Sequence, residues 1–438
     1  MKPIAPSFRV DRRLPAILII TVLALLISYA APDVQSKENI QSTYPAATCP
    51  STSDQDSAAI YLPSSQVGIR TISKTSLKYK NSKSYFQPLG VAPVLIAGNP
   101  GTSIVMDTSN SGIGTVICSA GTPEQWFIGG SGGVTSRGVL EVINSGLSDS
   151  IVDIFGYTSK GILPPRTVTV KANSNVKISL DSIVPGEDSV AVHVVTREGR
   201  VTSFLHDVRN KGLQSLGSDY VNAFAAPAKQ LVIPAVLNSG KSIIRLLDPG
   251  EINANVKVTV YARDGSFSPI GLDGRTIVHG IVTDRPISVL NSSSPVAIMI
   301  TSDQPILASI LTIVSGADFA WATAATPITL VTMNITGTKP EFLFQGSNIR
   351  VRVKWTDQSG GSHATTLTGS DIAHWNPGKA GIRKVTFVAD LRNPNYGSMI
   401  LRSFTSSGSD LAYLPVAQSA DLETSTLPIV DSHSLSRG

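Results

Sequence analysis

From about residue 57 to residue 417 the apolar residues come in short runs that alternate with polar ones at a period of two. Val168 and Val170, then Val176, Ile178 and Leu180, flank the turn Ala172-Asn173-Ser174, and Val256, Val258 and Val260 lead to Asp264-Gly265. Ile349, Val351, Val353 and Trp355 lead to Gly360-Gly361. Period two sends alternate side chains to opposite faces of an extended chain, whereas a helix repeats its apolar residues three and four apart. No stretch beyond the N-terminus sustains the helical period. Gly, Pro, Asn and Asp punctuate the runs roughly every 8–12 residues, the spacing of antiparallel sandwiches. The pattern therefore predicts an all-β chain of immunoglobulin-like β-sandwich modules, and it excludes long helices and coiled coils.

The chain also resembles itself. Leu140-Glu-Val-Ile-Asn-Ser-Gly146 matches Ile244-Arg-Leu-Leu-Asp-Pro-Gly250 at an offset of 104, and Val152, Ile154, Tyr157 and Gly161 match Val256, Val258, Tyr261 and Gly265 at the same offset. Val190-Ala191-Val192 matches Val296-Ala297-Ile298, and Ser203 matches Ser309, at 106. A fixed period marks a repeated unit, and a two-residue insertion is what a loop tolerates. The expected organisation is a β segment over 57–120, sandwich repeats over 121–228 and 229–325, a diverged third repeat over 326–417, and a polar tail over 418–438.

Ahead of these lies Leu14 to Ala31, eighteen residues without a charge, preceded by Arg9, Arg12 and Arg13. Cationic flanks stay on the cytoplasmic side, so the remainder is expected outside it. Two readings of residues 1–31 stand together. The stretch nearly reaches the roughly twenty residues of a single-pass anchor. Its most apolar part, Ile17 to Ile27, also fits a signal-peptide core with a cut near Ala30. Residues 32–56, rich in Ser, Thr, Gln and Asp, read as a flexible linker. Cys49 and Cys118 are the two cysteines; in an oxidising compartment they are expected to form one disulfide.

Motifs for chemistry are weak. Gly129-Gly130-Ser131-Gly132-Gly133 satisfies G-x-S-x-G, but a nucleophile elbow needs a following helix and Val139 to Ile143 reads as a strand. Gly240-Lys241-Ser242 ends like a phosphate-binding loop, yet Ala235 stands where its first glycine belongs and a strand follows. The six histidines show no metal-ligand spacing, and the adjacent His206 and Asp207 would point to opposite faces of a strand. No cofactor and no metal site is expected. Glutamate occurs eight times in 438 residues, scant material for the paired carboxylates of a hydrolase.

Of the net charge of +5, Lys2, Arg9, Arg12 and Arg13 against Asp11 supply +3. The near-neutral remainder argues against nucleic-acid binding. One segment departs from neutrality. Between Asp56 and Asp107 there is no acidic residue, while Arg70, Lys74, Lys78, Lys80 and Lys83 are basic. Such a run could contact anionic lipid or an acidic wall polymer, or simply form a solvated hairpin face. Among the tryptophans, Trp126 and Trp355 sit in strand-like runs and read as core. Trp375, in His-Trp-Asn-Pro-Gly, reads as the candidate for exposure on a loop.

Gln125-Trp126-Phe127-Ile128-Gly129-Gly130 preceded by Cys118, then Leu140 to Asn144, Gly199-Arg200-Val201 and Lys211-Gly212-Leu213, resemble a family of uncharacterised exported actinobacterial proteins classed as a domain of unknown function. The resemblance covers roughly residues 115–312. It implies an N-terminal membrane segment, repeated β-sandwich modules and an envelope location, and it brings no catalytic residues. Glutamines commonly stand in that family where this chain has His206 and Asp207.

The function expected from all this is a non-enzymatic cell-envelope protein. An array of modules would be tethered to the membrane by its N-terminal segment, or secreted if that segment is cleaved, and would scaffold or contact envelope components. A glycan- or wall-polymer-binding module is the alternative, and an envelope-polymer hydrolase the third reading.

Overall fold

The computed structural model describes residues 46–418, apart from 53–56, 65, 74–76, 99–100, 110–111, 212–213, 238–240, 288–293, 315–317, 379–381, 391 and 406–407. The apolar stretch Leu14 to Ala31, the linker up to residue 45 and the tail beyond Gln418 lie outside them. The alternation resolves into strands, and among the described residues the one helical element is a 3₁₀ turn at Leu180–Ser182.

Val139–Asn144 lies between Ser174–Ser179 and Thr202–Lys211, which continues to Gln214–Val221. Against this sheet packs a second. Ser150–Thr158 lies there between Arg166–Val170 and Val190–Glu198, and the latter pairs onward with Glu124–Ile128. The alternate residues Leu140, Val142 and Leu205 of one sheet meet Val152, Ile154 and Val192 of the other in a common buried cluster. About 104 residues later the pairing recurs. Lys241–Leu247 takes Thr283–Ile287 on one side and the second half of Val296–Val314 on the other, which continues to Asp318–Thr323. Ala254–Ala262 takes Arg275–Ile277 and the first half of Val296–Val314, which pairs onward with Ala228–Val236.

Small details recur with the strands. Gly161 and Gly265 hold φ of 119° and 132° at matching hairpin positions, where a side chain would be strained. Asn144 and Asp248 each accept the amide of the glycine two residues on, closing the same turn.

Residues 46–118 carry two further four-stranded sheets with strands of two to six residues. The linker read over 32–56 gives way inside this region: Ala47–Cys49 is a buried strand paired with Val94–Ala97. Cys49 and Cys118 are bonded, S–S 2.08 Å, and both are fully buried. The bond closes a loop of 69 residues. On the chain-entropy account Cys49→Ala/Cys118→Ala should lower folding stability by about 2–4 kcal/mol. Urea unfolding of the oxidised protein and the double variant checks this; equal midpoints would refute it. Residues 330–415 form a six-stranded sheet that curls around Phe342, Phe344, Val353, Phe387 and Met399.

These four segments do not follow one another as a string. Ile143, Phe204 and Tyr220 of the second join the core of the first, and Leu311, Phe319 and Trp321 of the third join the core of the second. Leu343, Ile400, Leu411 and Tyr413 of the fourth join the core of the third. Ile104 and Met106 of the first then join the core of the fourth. Polar contacts accompany this last step. The Thr102 amide donates to Thr332 O at 2.7 Å, Thr102 Oγ1 to Ala417 O at 2.6 Å, and Asn334 Nδ2 to Tyr85 O at 2.7 Å. The array expected from the sequence is therefore closed on itself, first segment against last.

Candidate functional site

The glycine-rich loop that follows Glu124–Ile128 holds Ser131, which is buried. Its Oγ donates to Asp188 Oδ1 at 2.9 Å and accepts the Gly133 amide at 3.1 Å. No hydrogen bond joins it to a histidine among the described residues, and a strand follows, so a base and a helix N-terminus are both missing from the arrangement a nucleophile needs. Gly130, at φ 86°, lies so close to Leu180 that a Cβ there would fall 2.8 Å from its Cδ1.

What holds the loop comes from the next segment. Arg245, 3% exposed, lies in Lys241–Leu247. Its Nε and Nη2 fork onto the Asp284 carboxylate at 2.8 Å each. Nη1 donates to Gly130 O and Val190 O at 2.8 and 3.0 Å, and Nη2 to Asp188 O at 2.9 Å. The guanidinium also lies over the Trp321 ring. Burial pushes the Asp284 carboxyl up, and the Arg245 and Ser189 hydrogen bonds pull it below the usual range. Glu141 aligns with Arg245 at the offset of 104 and reaches the preceding segment in the same way: it accepts Ser51 N at 2.9 Å and Ser51 Oγ at 2.7 Å.

A second group of buried charges sits where the final strands of the segments meet. Asp219, fully buried, accepts the amides of Trp321 and Tyr220 at 2.8 Å and of Thr115 at 3.3 Å. Asp318 accepts the Leu411 amide at 2.8 Å, and its other oxygen lies against Gly112 and Gly217, where Cβ atoms would come to 2.4 and 2.5 Å. Burial pushes both carboxyls up, Asp318 to about 8 and Asp219 well above the carboxylate range. Asp207 takes Trp321 Nε1 at 2.9 Å and Arg209 Nε at 3.0 Å, while its neighbour His206 stacks on Tyr220. The two residues are engaged separately, as strand geometry requires.

Elsewhere, His193 stacks on Trp126 at 3.5 Å between centroids and contacts Glu124 at 3.0 Å. Burial lowers the His193 pKa against the raising effect of Glu124. A cleft of about 560 Å³ is lined by Arg263, Glu341, Leu343, Ile372, His374 and Arg402, together with Ser294 and Pro295. Its Glu341 carboxylate is held by Arg402 at 2.8 Å. Among the described residues no three His, Cys, Asp or Glu side chains are arranged to hold a metal ion.

The residues singled out from the sequence divide. Arg70 is not on an anion-facing surface: it is 5% exposed, bonded to Asn173 and to Ser145 O, with its guanidinium over the Tyr79 ring. The strand Gly68–Thr71 turns it inward, where the Asn173 side-chain oxygen and the Ser145 carbonyl take its Nη1 and Nη2. Lys74 lies outside the described residues, and Lys78, Lys80 and Lys83 are exposed. Trp375 is also not exposed: Ser362–Trp375 continues as strand to that residue, and its ring packs on Phe342, Trp355 and Phe387 at 9% exposure. Trp126 is buried and Trp355 half-buried. Missed by the sequence reading was a set of exposed apolar side chains beside the lysines: Leu77, Tyr79, Tyr85, Phe86 and Val91. The alternation Leu77-Lys78-Tyr79-Lys80 was the signal available.

Residues 96–368 match a family model described as Family of unknown function (DUF5719). No curated protein matches the chain. A tetra-tandem repeat in the extending region of a large adhesion protein aligns over 86% of this chain and 95% of its own at 11% identity, with a TM-score of 0.12, a value that equates neither fold nor function.

Proposed function

The chain belongs to the Family of unknown function (DUF5719), and since that membership supplies no activity, we propose from its own residues that it is a non-enzymatic scaffold or binding protein of the cell envelope, tethered outside the cytoplasm. One observation carries the reading. The buried side chains that the sequence offers for chemistry are engaged by the protein itself: Ser131 is bonded to Asp188 within its own segment, while Arg245 on the carbonyls of Gly130 and Val190, Glu141 on Ser51 and Asp207 on Trp321 join one segment to the next. Catalytic groups must meet substrate, and these meet only the protein. The recurrent pairing supports descent of the second and third segments from one immunoglobulin-like module, and in this reading the four segments close on one another through their cores. Tethering rests on Leu14 to Ala31 and the arginines before it.

The test is topology of the full chain carrying a C-terminal tag in a bacterial host. The tag should sediment with carbonate-washed membranes and be digested by protease added to intact spheroplasts. A tag protected from protease would overturn the reading. A tag released to the medium, with residues 1–30 absent by N-terminal sequencing, would replace the tether by secretion.

A further inference from the structure

Fourteen large apolar side chains are exposed among the described residues, and five of them fall within residues 77–91. The same stretch carries Lys78, Lys80 and Lys83, all exposed. It is one corner of the first segment. Lys80–Asn81 is the edge strand of one sheet, Phe86–Pro88 the edge strand of the other, and four residues connect them. Lysines commonly guard edge strands against pairing, which would explain the lysines alone. It does not explain Tyr79 and Phe86, whose rings are 43% and 47% exposed. Both are held in place from beneath: Tyr79 by the buried Arg70 guanidinium, Phe86 by an edge-on contact with Tyr61 at 5.3 Å. Rings fixed in position with an open face, alternating with lysines, are the composition of a membrane interface.

We infer that this corner docks on a bilayer surface carrying anionic headgroups, with the lysines at the phosphates and Leu77, Tyr79 and Phe86 at the interfacial level. The inference rests on the tethered reading above and adds the surface that faces the membrane. Charge supports it: no acidic residue occurs between Asp56 and Asp107, and Asp107 is buried. Position supports it as well. From Ala31 to Ala46 is fifteen residues, a reach of at most about 50 Å. The chain then enters Ala47–Cys49, three strands from Lys80–Asn81 in the same sheet, or about 15 Å at the usual strand spacing. The apolar stretch and the corner can therefore meet one bilayer. A soluble polyanion would use the lysines and leave the rings without a role, so lipid is favoured over wall polymer.

The experiment uses the full chain reconstituted into vesicles of phosphatidylcholine alone, or of phosphatidylcholine with phosphatidylglycerol, and follows amide hydrogen exchange of residues 77–91. The expected result is slowed exchange on the anionic vesicles only. In Lys78→Glu/Lys80→Glu/Lys83→Glu the docked-to-undocked ratio should fall roughly a hundredfold, and Leu77→Ser/Phe86→Ser should also lose protection while the remaining amides exchange as in the parent. A chain that floats with both vesicle types yet exchanges freely at 77–91 on both overturns the docking alone. A chain that floats with neither overturns the tether and the docking together. Equal protection by soluble polyglycerol phosphate without vesicles would make a wall polymer the occupant and overturn the lipid assignment.

Discussion

Arg245→Ala should cost about 3–5 kcal/mol of folding stability, the range for breaking a buried ion pair from one side. The size follows from what is left behind. Asp284 keeps its charge without the guanidinium that pulls its pKa down, and the carbonyls of Gly130 and Val190 each lose a donor inside the protein. Each unsatisfied polar group adds a penalty of about 1–3 kcal/mol where water cannot reach it. The glycine-rich loop loses its fastening to the next segment, so exchange protection should fall first at residues 129–133. Arg245→Met/Asp284→Asn removes the stranded charge along with its partner and should recover part of the loss. The exposed pair Lys160–Glu187, with the lysine 78% exposed, gives the contrast: Lys160→Ala should change stability by less than about 0.5 kcal/mol. Urea unfolding of the three variants reads the stabilities and amide exchange reads the loop, and an Arg245→Ala loss no larger than that of Lys160→Ala would remove the buried fork from the account.

The offset of 104 was visible as a string of matched letters, and it carries the strands with it: Ser150–Thr158 and Ala254–Ala262 start and end in register. Closure was not read, although a trace of it lay in the sequence. A sandwich strand with one wet face alternates strictly, yet Val142-Ile143, Phe204-Leu205 and Ala320-Trp321 place apolar residues on both faces. Both faces are buried because a neighbouring segment covers the outer one. Burial on two sides is what a ring of contacts demands, and period-two reasoning that looks for one apolar face passes over it. The N-terminal segment was hardest to delimit because its strands are as short as two residues, too few for alternation to register.

Side chains were legible by type and not by direction. Arg70 and Lys80 belong to the same acid-free run, but only the fold turns one inward and the other out. Trp375 precedes Asn-Pro-Gly and looked like a loop residue; the turn begins one residue later, so the ring still has a strand's inward side to pack against. Arg245 was detectable in principle, as a lone charge inside Ile243-Ile244-Arg245-Leu246-Leu247. A charge that survives in such a run must have partners, since burying it alone would be prohibitive. Asp219 and Asp318 gave no comparable sign, because each follows a Gly-Ser or Gly-Ala pair that reads as a turn, whereas the fold places both in strands.

The stabilising contribution of those two aspartates should fall as pH rises. Burial is the main cause in each: it raises Asp318 to about 8 against the pull of the Leu411 and Phe319 amides, and it raises Asp219 well above the carboxylate range against those of Trp321, Tyr220 and Thr115. The folded state therefore holds protons that the unfolded chain releases near pH 4. The contribution of Asp318 is complete below that pH, is lost progressively as pH rises from about 4 to about 8, and is constant beyond. The slope is at most about 1.4 kcal/mol per pH unit for each group. The two aspartates should respond differently to amidation. Asp318 accepts the Leu411 amide on one oxygen and has the other packed against Gly112 and Gly217; an asparagine fits there without a charge to bury. Asp318→Asn should match the parent near pH 4–5 and exceed it by roughly 2–4 kcal/mol at pH 9. Asp219 takes amide donors on both oxygens, so Asp219→Asn sets its NH₂ against a backbone N–H and should destabilise at every pH, by about 1–3 kcal/mol. Urea unfolding from pH 4 to pH 9 separates the cases. An Asp318→Asn curve parallel to the parent would mean that this carboxyl ionises in the folded state as readily as in the unfolded chain, and that the closure of the four segments is not sensitive to its charge.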